Sequence, residues 1–170
     1  FKRGPFSQDP VKVAAQWNAD WETVNLPHTW NAKDMQVKAD AFYEGVGYYR
    51  KTQFFGNELK GKRVFLRFEG VGANTEVYVN GKLVGMHRGA YSAFAFEIGT
   101  ALKLGAENEI MVKADNASRS DVIPVNHNLF GVYGGIYRPV WLIITEQNNI
   151  TVTDCASPGV YLSLIHISEP

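Results

Sequence analysis

Asn80-Gly81, set between Thr75-Glu-Val-Tyr-Val79 and Lys82-Leu-Val-Gly-Met86, constrains this chain more than any other pair of residues. A two-residue hairpin loop of type I′ needs φ > 0 at both central positions, and Asn-Gly supplies that pair at little steric cost. The spacing predicts a β-hairpin over residues 75–86. A hairpin alone is marginal in water, so the chain must supply further strands to cover its apolar face.

Those strands are legible on both sides. Tyr48 to Phe55 sets Tyr49, Lys51, Gln53 and Phe55 against Tyr48, Arg50, Thr52 and Phe54, and Arg63 to Phe68 puts Val64, Leu66 and Phe68 on one face. Phe94, Phe96 and Ile98 alternate with Ala93, Ala95 and Glu97, as Ile110, Val112 and Ala114 do with Met111 and Lys113. Trp21 to Leu26 reads as a further strand, closed by the proline-led turn Pro27-His-Thr-Trp-Asn31. Asp9-Pro10 followed by Val11 to Trp17 suits a short helical turn, Ala32 to Gly47 a long surface loop, and Asn116 to Asn128 a polar loop.

The longest apolar segment follows a glycine-rich loop, Gly131-Val-Tyr-Gly-Gly-Ile-Tyr-Arg-Pro-Val-Trp-Leu-Ile-Ile144. Residues 136–144 read as a strand, with Pro139 marking an edge or a bulge. Gly131, Gly134 and Gly135 permit φ > 0 and close backbone approach. They either shape a binding loop or only turn a corner, and the stretch alone leaves both readings open. The count reaches about eight strands with almost no helix, which implies an all-β, antiparallel jelly-roll β-sandwich.

Seventeen basic and seventeen acidic side chains cancel, which argues against nucleic acid or a membrane surface as partner. Hydrophobic residues make up 45% and aromatics 13%, a globular composition rather than a disordered one. Cys155 stands alone, so an internal disulfide or cysteine-based metal cluster is excluded, and His28, His87 and His127 share no ligand spacing with it. No metal and no cofactor are expected. Ser92 and Ser118 have no base within sequence reach, and no Gly-x-Ser-x-Gly elbow or phosphate-binding glycine loop occurs. His28 is expected to pack within its turn. The chain opens on Phe1-Lys-Arg without a leader, so localisation stays open, with periplasmic or secreted placement compatible.

Six motifs stand in order: Val24-Asn-Leu-Pro-His-Thr-Trp-Asn31, Gly47-Tyr-Tyr-Arg-Lys51, Phe65-Leu-Arg-Phe-Glu-Gly-Val71, Val77-Tyr-Val-Asn-Gly81, Gly85-Met-His-Arg-Gly-Ala-Tyr91 and Tyr133-Gly-Gly-Ile-Tyr-Arg138. Together they resemble the N-terminal sugar-binding domain of the glycoside hydrolase family 2 enzymes, the β-galactosidase, β-glucuronidase and β-mannosidase group. The resemblance implies a galactose-binding-domain-like jelly roll over residues 1–147. It also implies the start of an immunoglobulin-like sandwich over residues 148–164, where 150–153 and 160–164 have strand character. A TIM barrel bearing both catalytic glutamates of a retaining β-glycosidase would follow. Residues 165–170 fit nothing before them and read as a foreign tail.

Within that resemblance this chain supplies no catalytic residue and is expected to be inactive alone. Its expected role is to complete the pocket for a β-glycoside, with the immunoglobulin-like and barrel domains of the same parent chain as partners. A homo-oligomer is compatible. The family offers an acidic residue just before the Gly-Gly-Ile-Tyr-Arg motif, where this sequence has Leu129, so the nearest polar candidates are the amides Asn128 and Asn126. The long loop adds Asp40 and Glu44 beside Phe42 and Tyr43: carboxylates accept from sugar hydroxyls, and an aromatic face covers a pyranose ring. Tyr133, with Tyr137 and Trp141, is a candidate sugar platform or interdomain contact. Arg138 is expected to be an ion-pair partner. The rival class is a free-standing, non-catalytic carbohydrate-binding module, and a third is a purely structural domain.

Overall fold

A computed structural model describes residues 1–4, 21–34, 42–123 and 131–162. It holds eight strands in two antiparallel sheets: β1 (Lys2–Gly4), β2 (Val46–Phe55), β3 (Arg63–Phe68), β4 (Asn74–Val79), β5 (Lys82–Arg88), β6 (Phe94–Glu97), β7 (Ala106–Asp115) and β8 (Val140–Thr145). The larger sheet runs β1-β2-β7-β4-β5 and the smaller β6-β3-β8. Single 3-10 turns lie at Asn57–Leu59 and Gly99–Ala101. Among the described residues no helix is long and apolar enough to cross a membrane.

The hairpin forms as its sequence requires, with Asn80 at φ 51° and Gly81 at φ 78°. Asn80 also ties the turn to the fold. Its Nδ2 donates to Ala101 O (2.9 Å) and Asn108 Oδ1 (2.7 Å), and its Oδ1 accepts from Glu109 N (3.1 Å). The main core lies between the sheets: Val64, Leu66 and Phe68 of β3 meet Tyr49, Val77, Val79 and Val112, and Phe68 stacks on Phe94 at 4.9 Å. Burying each large apolar side chain there contributes about 1.5–3 kcal/mol.

A second cluster was not expected from alternation. Val46, Tyr48 and Met111 face away from the main core yet are buried, packed with Trp21 and Tyr78 on the outer side of the larger sheet. Lys113 and Glu76 roof it with an ion pair of 2.6 Å. The outer face of this sheet therefore carries a local apolar cluster among charged and polar residues such as Arg50, Glu109 and Lys113.

Three strand expectations are corrected. Residues 21–26 form no strand; here Glu22 N donates to Phe1 O (3.0 Å) and the Phe1 ammonium to Glu22 O (2.7 Å). They line the mouth of a cleft of about 490 Å³ between the sheets, floored by Leu66, Phe68 and Val112. The strand read over 136–144 begins at Val140, since the backbone of Ile136 is used elsewhere: its O accepts from His28 N (2.7 Å) and its N–H donates to Tyr49 Oη (3.3 Å). Residues 150–153 and 160–162 form turns and irregular backbone rather than strands, and 163–164 of the expected second strand lie outside the described residues. The expected edge position of Pro139 is found, as β8 borders its sheet. The helical turn expected over 9–17 lies outside the described residues.

Candidate functional site

At one end of the sandwich, the loops before β2, after β7 and before β8 meet around two fully buried asparagines. Asn31 Nδ2 donates to Asp34 Oδ2 (2.7 Å) and Tyr43 O (2.9 Å), and its Oδ1 accepts from Gly134 N (2.7 Å) and Asn116 Nδ2 (3.3 Å). Asn116 Nδ2 also donates to Val132 O (2.8 Å), and its Oδ1 accepts from Gly45 N (2.8 Å). An amide alone carries both donors and an acceptor, so it can join carbonyls and N–H groups from separate loops where a carboxylate could not.

Trp30, 4% exposed, is the packing counterpart of that polar node. Its indole packs against two glycines, Gly47 near Cζ3 and Gly134 near Cζ2, and a Cβ at either would fall inside van der Waals distance of the ring. Of the three loop glycines only Gly135 has a left-handed backbone, φ 107°, so Gly134 is required for space rather than for conformation. In this loop Gly135 turns the chain and Gly134 admits the Trp30 ring.

Around this scaffold sit the residues that can meet a ligand. Phe42 and Tyr133 contact edge to face at 5.9 Å, and Tyr133 is 44% exposed. Half-buried Glu44 sits between Tyr43, whose carbonyl both asparagines hold, and Gly45, whose N–H is held by Asn116. The structure therefore brings Glu44 and Tyr133, expected from two distant stretches, onto one loop cluster. Asp40, Asn126 and Asn128 lie outside the described residues. Sequence reading missed Asn31 and Asn116 as organisers. The only cue was Asn31 closing the Trp-Asn turn of the first motif.

His28 packs as expected. Its Nδ1 shares a hydrogen with Tyr49 Oη at 2.8 Å and its ring meets Phe1 at 4.8 Å. Burial is the main cause holding its pKa below the ordinary 6.5, with Glu22 opposing and Arg3 assisting, and burial raises the Tyr49 phenol. The folded state therefore binds the His28 proton less readily than the unfolded chain. Its contribution is fully present above pH 6.5 and is lost as pH falls through the lowered folded value. Burial lowers His87 in the same direction. In thermal unfolding between about pH 7 and pH 5, His28→Gln should flatten the acid-side loss of Tm and leave the His87 part. An unchanged slope would remove His28 from the cause.

Other expectations change with geometry. Ser92 does have a base, since the turn at Gly89, φ 142°, folds His87 Nε2 to 3.0 Å from Ser92 Oγ. Among the described residues no third group is shown orienting that imidazole. Arg138 lies over the Tyr137 ring at 5.6 Å rather than on a carboxylate, and Tyr137 Oη donates to Ala90 O. Tyr137 is thereby a structural residue, and only Tyr133 of the expected platform borders the cluster. Among the described residues no three His, Cys, Asp or Glu side chains are grouped to hold a metal.

Comparison with known proteins adds what geometry alone does not. Residues 5–146 match the model of the glycosyl hydrolases family 2 sugar-binding domain. A β-glucuronidase from Bacteroides fragilis is 46% identical over 151 residues, which is 89% of this chain and 22% of that protein. A solved Bacteroides fragilis structure, provisionally named a β-galactosidase, is 77% identical with a TM-score of 0.88, covering 95% of this chain and 24% of that one. Bacteroides uniformis β-glucuronidase 2, covalently bound to cyclophellitol-6-carboxylate aziridine, is 34% identical with a TM-score of 0.81, over 92% of this chain and 18% of that one. The chain thus spans about a fifth to a quarter of the proteins it matches. It belongs to glycosyl hydrolase family 2, of which it carries the sugar-binding domain.

Proposed function

We propose that this chain is the N-terminal domain of a retaining β-glycosidase, and that its asparagine-fastened loop end completes the substrate pocket. Residues 1–147 form the domain, and 148–164 lead into a following sandwich. The observation that carries this reading is the convergence of Phe42, Tyr133 and Glu44 on loops whose backbones Asn31 and Asn116 hold together. Aromatic faces cover the apolar side of a pyranose, and a carboxylate accepts from its hydroxyls. Preformed loops reduce the ordering cost of binding. Asp40, and Asn126 with Asn128, stand just before Phe42 and Gly131 in sequence, and we assign them further hydroxyl contacts.

Hydrolysis itself requires two carboxylates flanking the glycosidic bond, which we place on a barrel elsewhere in the parent chain. A β-galactoside is the favoured substrate and a β-glucuronide the nearest competitor, since the matched relatives carry both names. A panel of nitrophenyl β-glycosides run on the whole parent chain decides between them, and no turnover on any would sink the proposal. In that enzyme Tyr133→Ala should raise KM roughly tenfold, about 1.4 kcal/mol, with Tm unchanged because the ring is already half exposed. An unaltered KM would take Tyr133 out of the pocket. Calorimetry on this chain alone should detect no sugar binding tighter than millimolar; micromolar binding would instead make it a free-standing carbohydrate-binding module.

A further inference from the structure

The end of the sandwich that carries Tyr133 also carries a cluster of arginines. Arg88 and Asp115 lie opposite Asn74 from its two sides, so the turn after β5 and the loop after β7 leave the larger sheet together. Asp121 in that loop accepts from two guanidiniums: Arg119 Nε reaches Oδ1 (2.8 Å) and Nη2 reaches Oδ2 (3.0 Å), and Arg88 Nη1 reaches Oδ2 (3.2 Å). Arg138 lies over the Tyr137 ring, and among the described residues no carboxylate pairs with it.

These loops are fastened to one another and to the candidate pocket. Gly89 N donates to Ala73 O (2.9 Å), the Tyr137 hydroxyl donates to Ala90 O, and Ala73, Ala90, Val122 and Val132 form one buried cluster. Val132 adjoins Tyr133, and Val122 adjoins Asp121. Gly70 leaves space for the Tyr137 hydroxyl and the Arg138 stem, which a Cβ there would meet at 2.9 and 3.0 Å. Burial raises the Tyr137 phenol, with Arg138 opposing and Tyr91 assisting, so both side chains stand near that hydroxyl. Tyr91 is 52% exposed.

The charges do not balance. Counting Asp115, whose field also reaches Arg119, three guanidiniums face two carboxylates, in a chain whose seventeen basic and seventeen acidic side chains cancel. Exposed ion pairs contribute little to stability, so folding gives no reason for the surplus. A guanidinium presents a planar fork of N–H donors that matches the paired oxygens of a carboxylate or a sulfate, and Asp121 leaves several of those donors open on Arg88 and Arg119. An exposed tyrosine beside them offers a face for the apolar side of a pyranose.

We propose that Arg88, Arg119 and Arg138, with Tyr91, form a subsite for an acidic saccharide residue, one bearing a carboxylate or a sulfate ester. The inference rests on reading this end of the domain as part of a glycosidase pocket. Calorimetry on the whole parent chain tests it with thio-linked β-galactobiose, which resists hydrolysis, in three forms: neutral, with a carboxylate at C6 of either ring, and with a 6-sulfate on either ring. An acidic form should bind about tenfold more tightly than the neutral one, and whether the uronate or the sulfate gains more names the anion. Arg119→Gln and Arg138→Gln, both at exposed positions, should each cut that preference to about threefold or less. Asp121→Asn releases both of its arginines and should widen the preference, a gain that a merely structural ion pair would not give. Equal binding of all forms, or none, overturns the proposal, as does a preference that the arginine variants leave intact or that Asp121→Asn fails to widen. Turnover of nitrophenyl β-glycosides is read on the same preparation. An acidic preference without turnover sinks the glycosidase reading alone, and turnover without that preference sinks the subsite alone.

Discussion

Asn31→Ala is expected to cost about 3–5 kcal/mol and to lower Tm by roughly 10 °C, read by thermal or urea unfolding. The change deletes four hydrogen bonds at a fully buried position and leaves Gly134 N with no acceptor in its place. Each buried group left without a partner costs about 1–3 kcal/mol, against a total stability of about 5–15 kcal/mol for a domain. Asn116→Ala should act similarly, and the double variant should fall short of the sum because both residues serve one node. Asn31→Asp keeps size and acceptors but sets a second carboxylate against Asp34, 2.7 Å from the present Nδ2. That variant should recover stability as pH falls and one carboxyl becomes a donor. A loss below 0.5 kcal/mol for Asn31→Ala would show that water or loop movement replaces the amide.

The second large effect comes from space. Gly134→Ala should destabilise by about 3 kcal/mol, because the added methyl overlaps a buried indole that also packs against Gly47 and stacks on Phe1 at 5.6 Å. Neither the backbone of β2 nor the buried indole has room to yield. Gly61→Ala is the contrasting control: its φ of 81° is foreign to alanine, which the backbone of Gly134 is not, yet nothing lies within 4 Å of the new Cβ. It should cost about 1 kcal/mol. If Gly134→Ala costs no more than Gly61→Ala, the indole yields to the added methyl and the close approach to Trp30 is not limiting.

Sequence periodicity carries most of the sandwich because inter-strand ladders and burial act on single residues. The Asn80-Gly81 turn, β3 and the central part of β7 follow directly from it. Where alternation misled, a third layer was involved. Tyr48 and Met111 look like half-buried strand residues, yet a second cluster on the outer face covers them. β1 could not be foreseen, since Lys2-Arg-Gly4 has no strand pattern and becomes a strand only by pairing with Val46 to Tyr48. Residues 21–26 have the pattern and form no strand.

Of the candidate site, the residues bordering the loop cluster were legible and its organisation was not. Tyr133 and Glu44 stand out by type and loop context, and they do border one cluster through Phe42 and Gly45. The amides that hold the cluster look like ordinary loop polarity until the fold closes them off from water. Ser92 and His87 show the same limit, because a turn at Gly89 creates a contact that their separation along the chain conceals.

The amide node also fixes when this end of the domain can mature during synthesis. Asn31 waits 85 residues for Asn116 and 103 for Gly134, and β2 waits for β7 before its central partner exists. At about 5–20 residues per second on the ribosome, Trp30 and the loop before β2 stay without their native partners for several seconds. Chaperone binding in that interval should concentrate on Trp30 and Tyr49, whose burial requires the last-made loop.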